Sequence, residues 1–282
     1  MTSESRIFSA GNVSLNLGSG ALVMGVLNLT PDSFYDGGKY SSIEEAVFAA
    51  LKMEDEGAAI IDIGGESTRP GSESVPADVE LARIIPVLKE IKKRIKIPVS
   101  VDTYKSKVVE EALMNGADMI NDISGFTLDP NMVHIAAKAG CPVVIGHIKG
   151  TPKSMQEDVS YDDVVADVVS SLEEKIDLAA QSGVNRASLI VDPGIGFGKR
   201  LEDNLQIIKR LREFKKLGCP VLVGFSQKSF IGRVLDLPPS ERLEGSLASA
   251  CVAVLNGADI IRAHHVKETV RAVKMVKAIM ES

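Results

Sequence analysis

Leu189-Ile190-Val191-Asp192-Pro193-Gly194-Ile195-Gly196-Phe197-Gly198-Lys199 runs from three apolar β-formers into an acid, a proline, three alternating glycines and a cation. These residue types predict a buried strand that ends at a carboxylate, followed by a sharply bent loop. The rest of the chain repeats the plan: apolar run, polar residue at its C-terminal end, glycine loop, amphipathic helix. Before this stretch, strands are expected at 21–27, 58–63, 98–101, 118–120 and 142–145, and after it at 220–223 and 259–261. Helical spacing links Ile43, Ala46, Val47, Ala50 and Leu51, and again Leu81, Ile84, Ile85 and Leu88 within 76–93. Further helices are expected to end at Gly116, to follow Pro130, to span 161–180, to carry Leu201, Leu205, Ile208 and Leu211 on one face, and to cover Leu243–Leu255 and 266–280.

Eight strands alternating with eight helices predict parallel pairing with right-handed crossovers. Two local echoes support a repeated βα unit. Gly57, Gly116 and Gly257 are each followed by alanine, and five residues after each glycine stand Asp62, Asn121 and Arg262. Gly140-Cys-Pro-Val-Val-Ile-Gly146 likewise matches Gly218-Cys-Pro-Val-Leu-Val-Gly224. A glycine at the helix C′ position with a strand behind it accounts for both. The fold class expected is α/β, a (β/α)8 TIM barrel in a single domain over 1–282, with 1–20 as an N-terminal flap. An open doubly wound sheet would be expected to carry a Rossmann glycine fingerprint, and none is present.

The chain has 282 residues, 45% of them apolar, and a formal net charge of −6. A chain of this size buries roughly 75% of its unfolded surface. The negative charge gives no global field for nucleic acid, so any anion site must be local. Cys141, Cys219 and Cys251 are odd in number, far apart and without metal-ligand spacing, which argues against disulfides and zinc. No apolar run approaches the ~20 residues of a membrane span, and residues 1–6 are polar. A cytoplasmic protein with small-molecule substrates and no nucleic-acid or membrane partner is expected.

In a barrel of this class the site lies at the C-terminal ends of the strands. Collected there are Asn28, Asp62, Asp102, Asn121, His147, Asp192, Lys228, Arg262 and His264. Asp102, Asn121 and Asp192 suit the N–H edge of a guanidine-like heterocycle. Lys228, Arg262 and His264, with neutral Asn28, suit an oxyanion such as phosphate. A ligand with a polar ring at one end and a phosphate at the other would fit both rims. Plainer readings compete: an Asp after a strand is often a helix N-cap, Asp62 could be a cap or a support, and a lone lysine or arginine is often a surface cation. The glycine loop after Asp192 is not a P-loop, because Arg200 stands where Ser or Thr is needed.

Taken together, seven stretches resemble the dihydropteroate synthase family: Met24-Gly-Val-Leu-Asn28-Leu-Thr-Pro-Asp-Ser-Phe34, Asp62-Ile-Gly-Gly-Glu-Ser-Thr-Arg-Pro-Gly71, Ser100-Val-Asp-Thr103, Asn121-Asp-Ile-Ser-Gly125, Asp192-Pro-Gly-Ile-Gly-Phe-Gly-Lys199, Lys228-Ser-Phe-Ile-Gly232 and Arg262-Ala-His264. The resemblance runs from about residue 21 to the end. It implies a transferase of folate synthesis that joins p-aminobenzoate to 6-hydroxymethyl-7,8-dihydropterin pyrophosphate, giving 7,8-dihydropteroate and pyrophosphate. By that resemblance Asp102, Asn121, Asp192 and Lys228 hold the pterin. Asn28, Arg262 and His264 hold the pyrophosphate, with Asn28 as ligand to Mg2+. Thr68, Arg69, Pro70, Phe197 and Ser229 shape the p-aminobenzoate side, and loops 30–38 and 66–71 close over the site. The family habit of pairing through late helices implies a homodimer, which the Ala- and Leu-rich segment Leu243–Leu255 permits.

Three departures stand out: Gln227 where the family usually has Arg, His265 where it usually has Asp, and Gly146-His-Ile-Lys-Gly150 where it usually reads Met-His-Met-Gln-Gly. Two rival functions use the same pterin slot, a methyltetrahydrofolate:corrinoid methyltransferase and a non-catalytic pterin-binding relative. The first has no need of Thr68-Arg-Pro-Gly71 or of Lys228-Ser-Phe-Ile-Gly232, both present here.

Overall fold

A computed structural model describes residues 7–10, 13–30, 42–157 and 159–282. Its centre is a ring of eight parallel strands: β3 (Leu22–Asn28), β4 (Ile60–Gly64), β5 (Val99–Asp102), β6 (Met119–Asp122), β7 (Val143–Gly146), β8 (Leu189–Asp192), β9 (Leu222–Gly224) and β10 (Ile260–Ala263). From β3 to β8 each strand pairs with the next, and β10 pairs with both β3 and β9. Between β8 and β9 the ring closes, among the described residues, through one bridge from Val191 to Val221. There the Val191 N–H donates to Pro220 O at 2.9 Å. This is the (β/α)8 TIM barrel expected.

The crossovers are α1 (Ile43–Asp55), α2 (Ala77–Lys92), α3 (Ser106–Met114), α4 (Met132–Ala139), α5 (Val164–Gln181), α6 (Leu201–Lys209), α7 (Ser229–Leu235) with α8 (Leu243–Leu255), and α9 (Val266–Glu281) after the last strand. Gly57, Gly116 and Gly257 follow helices at φ +97°, +99° and +95°, the left-handed turn that sends each chain into its strand.

Strand alternation puts every second residue inside the ring. Met24, Ile60, Met119, Val144, Ile190, Leu222 and Ile260 form one buried apolar layer there, and Ser100 is the buried position on β5 beside Met119. The alternate residues, among them Ile61, Ile63, Val101, Ile120, Val143, Ile145, Val191, Val223 and Ile261, face the helices in the larger outer core. One step further up the inner face come Asp62, Asp102, Asn121, Gly146, Asp192, Gly224 and Arg262. The polar residues thus stand on an apolar floor.

The N-terminal segment is an antiparallel hairpin where it is described, β1 (Ile7–Ala10) with β2 (Val13–Asn16). Phe8 and Leu15, with Leu17 beyond them, pack under the floor layer and close the lower mouth of the barrel.

Two helical expectations need correction. Leu205 is 42% exposed rather than on the buried face of α6. Asn204 takes the inward position because its side-chain carbonyl accepts the Gly196 N–H at 2.6 Å, and that contact turns Leu205 outward. The chain between β9 and α8 also forms α7, where Phe230 and Ile231 are buried. Its Gly232, with Asp236 and two prolines close behind, hid the periodicity.

Candidate active site

The upper inner layer is bonded together by charge. Arg262 reaches across the ring and donates from Nε to Asp62 Oδ2 and from Nη2 to Asp102 Oδ2, both at 2.6 Å. Asn121 Nδ2 donates to the same Asp62 oxygen at 2.9 Å, which leaves the Asn121 carbonyl oxygen as an acceptor for other partners. Asp62 therefore caps no helix. It lies inside β4, fully buried, and orients both Asn121 and Arg262. Asp102 Oδ1 and Asp62 Oδ1 are buried without a hydrogen-bond partner among the described residues. An unpaired buried carboxylate oxygen costs free energy unless a ligand donor meets it.

Electrostatics follow from burial. Burial pushes Asp102 up to about 7, against Arg262 and with help from Asp62. Burial also raises Asp192, against the attraction of Lys228. Burial lowers Lys228 to about 8, while Asp192 pulls it back up. For Arg262, burial opposes the charge, but Asp62 and Asp102 outweigh it and hold the guanidinium firmly protonated. The expectation of an acceptor rim separate from a donor rim is thus modified. Arg262 lies directly on two carboxylates, because a guanidinium buried in this layer needs anionic partners.

Lys228 precedes α7 and bends back over the glycine loop, where its ammonium donates to Ile195 O and stands 4.8 Å from the centre of the Phe197 ring. Asp192 Oδ1 accepts the Gly194 N–H at 2.8 Å, which fixes the carboxylate at the loop's first turn. Gly194 has φ +69°, and a Cβ there would run into the His147 carbonyl oxygen, so only glycine lets the loop pass. On the other side of the ring, the Asn28 side-chain nitrogen lies 3.2 Å from His264 Nε2.

Other expected positions fall elsewhere. His147 is buried behind the loop, its Nδ1 2.9 Å from Lys199 Nζ. Burial first, then Lys199 and Lys175, push it down to about 2, so it stays neutral at working pH. Thr68 is half-buried, Arg69 and Pro70 are exposed on a loop above the ring, and Ser229 is exposed at the first position of α7. Of the loop at 30–38 only Thr30 lies within the described residues. Gln227 has φ +58° and its carbonyl accepts from Arg242 Nη1 at 3.1 Å, so a cation still stands near it. His265 opens α9 and, with Ser226, Ser246 and Thr269, lines a small cavity.

Sequence reasoning passed over a second cluster beside this layer. Glu66, Tyr104, Lys105 and Glu80 meet below the loop that carries Thr68 to Pro70. Of these, Glu66 falls within the motif Asp62–Gly71 and the other three lie outside the motifs of the resemblance. Partners that lie 25 to 39 residues apart leave no local pattern.

The model of the pterin binding enzyme family matches residues 24–264. The chain is 49% identical over 259 residues to the dihydropteroate synthase of Bacillus subtilis strain 168, covering 92% of this chain and 88% of that one. A crystal structure of Yersinia pestis dihydropteroate synthase with a sulfonamide drug complex superposes with a TM-score of 0.93 at 42% identity, over 98% of this chain and 100% of that one. Xanthomonas albilineans dihydropteroate synthase, solved with 4-aminobenzoic acid, superposes with a TM-score of 0.92 at 39% identity, over 99% and 100% of the two chains. Fold, motif order and extent of match agree: the chain belongs to the dihydropteroate synthase family of pterin-binding enzymes.

Proposed function

We propose that this protein is a transferase that condenses 6-hydroxymethyl-7,8-dihydropterin pyrophosphate with p-aminobenzoate, releasing pyrophosphate and 7,8-dihydropteroate. One observation carries the reading: buried Asp62, Asp102 and Asn121 and half-buried Asp192 share one layer with Lys228 and Arg262 above an apolar floor. A ring bearing several N–H donors and joined to a diphosphate meets both sets of groups. The Xanthomonas albilineans relative solved with 4-aminobenzoic acid supports the second substrate.

In this reading Asp102, Asn121 and Asp192 accept the pterin N–H groups, and Lys228 donates to a ring acceptor. The C–O bond between the pterin methylene and the pyrophosphate breaks, and its electron pair leaves with the pyrophosphate. Arg262 offsets the charge that grows on the departing group, and His264 and neutral Asn28 help hold that group in place. The methylene left behind is cationic, and the ring electrons and the buried carboxylates stabilise it. The p-aminobenzoate amine attacks that carbon and then loses a proton. Thr68, Arg69, Pro70, Phe197 and Ser229 shape the arylamine side, and an ordered loop keeps water out.

Mg2+ fits the donor set. The Asn28 Nδ2 faces His264, so its side-chain oxygen is a hard neutral ligand, and Mg2+ commonly takes one or two protein oxygens together with substrate phosphates and water. Bound there, the ion would supply charge neutralisation to the leaving pyrophosphate. We also assign a homodimer, supported by Leu205, Val252 and Leu255, which are 42%, 44% and 44% exposed on α6 and α8. The whole chain acts as one pterin-binding unit in the cytoplasm. No described helix is long and apolar enough to cross a membrane.

The test is calorimetry with dihydropterin pyrophosphate, followed by a pyrophosphate-release assay with p-aminobenzoate. Binding followed by release is the expected result. Binding without release would instead make the chain a pterin binder, and methyl transfer to a corrinoid partner would make it a methyltransferase.

A further inference from the structure

We propose that Glu66, Tyr104, Lys105 and Glu80 form a latch that positions the loop between β4 and α2, making Tyr104 and Lys105 positioning residues for the arylamine. The inference rests on the reading above that this loop serves p-aminobenzoate. The loop leaves β4 at Gly64 and enters α2 at Ala77. Glu66 lies near its start and is only 8% exposed, so its carboxylate turns inward. Its Oε1 accepts from the Tyr104 hydroxyl. Its Oε2 accepts from Lys105 Nζ and from the Val75 N–H, the latter at 2.9 Å. Ser74 Oγ stands 2.8 Å from the Tyr104 oxygen. One carboxylate thus ties both stems of the loop together, Glu66 at one end and Ser74–Val75 at the other. Thr68, Arg69 and Pro70 lie on the span between.

The latch is anchored below. Lys105 Nζ also donates to Glu80 Oε2 at 2.7 Å, and Glu80 is fully buried in the first turn of α2. Gly65 passes directly over it: a Cβ there would lie 2.9 Å from Glu80 Cγ. One ammonium therefore sits between two buried carboxylates. Removing it would leave two anions facing each other, a repulsion with no solvent to screen it. The loop would then lose the contact that draws its stems together.

The position of the latch in the chain gives it a functional meaning. Tyr104 and Lys105 come two and three residues after Asp102. The segment between is held by a Thr103 N–H donated to Asn121 O at 3.1 Å and a Lys105 N–H donated to Thr103 Oγ1 at 3.2 Å. One short stretch thus carries both a proposed pterin acceptor and the fasteners of the arylamine loop. The second substrate's loop is built onto the first substrate's wall.

The test uses the full chain with Lys105→Met, Lys105→Arg and Tyr104→Phe. Pterin affinity is read by calorimetry with dihydropterin pyrophosphate, and steady-state assays give kcat and the KM for p-aminobenzoate. Lys105→Met is expected to raise that KM by about tenfold while the pterin Kd stays within about twofold. Tyr104→Phe should move the KM in the same direction by less, and Lys105→Arg, which can still bridge two carboxylates, should restore most of the loss. An unchanged KM, a pterin Kd that rises in step with it, or failure of arginine to restore it would each overturn the latch. Should Lys105→Met fail to fold, Tyr104→Phe, which deletes one hydroxyl, decides by the same criteria. Wild-type protein that turns over normally keeps the parent reading intact whatever the variants show. Wild-type protein that forms no 7,8-dihydropteroate overturns both.

Discussion

Asp102 and Arg262, which lie 160 positions apart in the chain, are bonded at 2.6 Å across the barrel. One is the proposed acceptor for the pterin and the other the proposed cation for the diphosphate. Nη1 of the arginine takes no part in the bonds to Asp102 and Asp62, and Asp102 Oδ1 has no partner among the described residues. The two groups therefore hold each other in place while each keeps a face for the ligand. Preorganisation of this kind means little rearrangement is needed when the substrate arrives.

Asp192→Ala should abolish useful pterin affinity. The variant removes the acceptor at the end of β8 and leaves the ring N–H groups buried and unpaired, a loss of about 2–5 kcal/mol. Calorimetry with dihydropterin pyrophosphate measures it directly. Affinity equal to wild type would show that the ring sits elsewhere.

Arg69→Ala should lower turnover more than it weakens the pterin complex. The side chain is exposed on a loop above the ring. Comparing kcat/KM for p-aminobenzoate with the pterin Kd makes the distinction. Equal losses in both would point to a structural role for the arginine.

The pH profile follows from two buried groups. Burial raises Asp102 to about 7, with Arg262 opposing, and lowers Lys228 to about 8, with Asp192 opposing. Binding the ring needs the carboxylate ionised and the ammonium protonated. Activity should therefore rise as pH climbs through about 7, when Asp102 loses its proton. It should fall as pH climbs through about 8, when Lys228 loses its own. The expected kcat/KM for the pterin substrate is a narrow bell. Lys228→Arg should abolish the alkaline limb, since arginine keeps its proton. A profile flat from about pH 6 to about 9 would contradict both assignments.

Phe8→Ala should destabilise the fold without changing the KM of either substrate. Phe8 is 6% exposed and packs beneath the floor layer, on the side of the barrel away from the site. Truncation of a buried phenylalanine costs about 3–5 kcal/mol. Urea unfolding read by circular dichroism gives the loss, and the kinetic constants of the surviving folded protein give the contrast.

Much of this architecture was legible in the residues themselves. The glycine-then-polar echo at Asp62, Asn121 and Arg262 proved to be more than a repeat of units. These three residues occupy equivalent inner positions on β4, β6 and β10, and Asp62 accepts from both of the others. Their direction was harder to read. Strands of three to five residues are too short to show which parity faces inward, so Asp62 could pass for a helix cap. His147 stood at a strand end like the others, but the bend at Gly194 folds the loop over it and Lys199 takes its ring. Leu205 kept helical spacing, yet Asn204, which accepts the Gly196 N–H, takes the buried place and Leu205 points outward while Ile208 and Leu211 stay inside. Periodicity reports average burial along a helix and is blind to one buried polar contact.

The seam between β8 and β9 has a consequence for mechanics. Among the described residues, the staves on either side meet at one bridge, Val191 with Val221. Directly above it, Asp192 belongs to one stave, and Lys228 follows the other and leans across to Ile195. A substrate gripped by both acts as a rivet at the joint where the barrel is least stitched. Occupancy then resists prying apart at that joint, and an unloaded barrel pulled open by force should split there first.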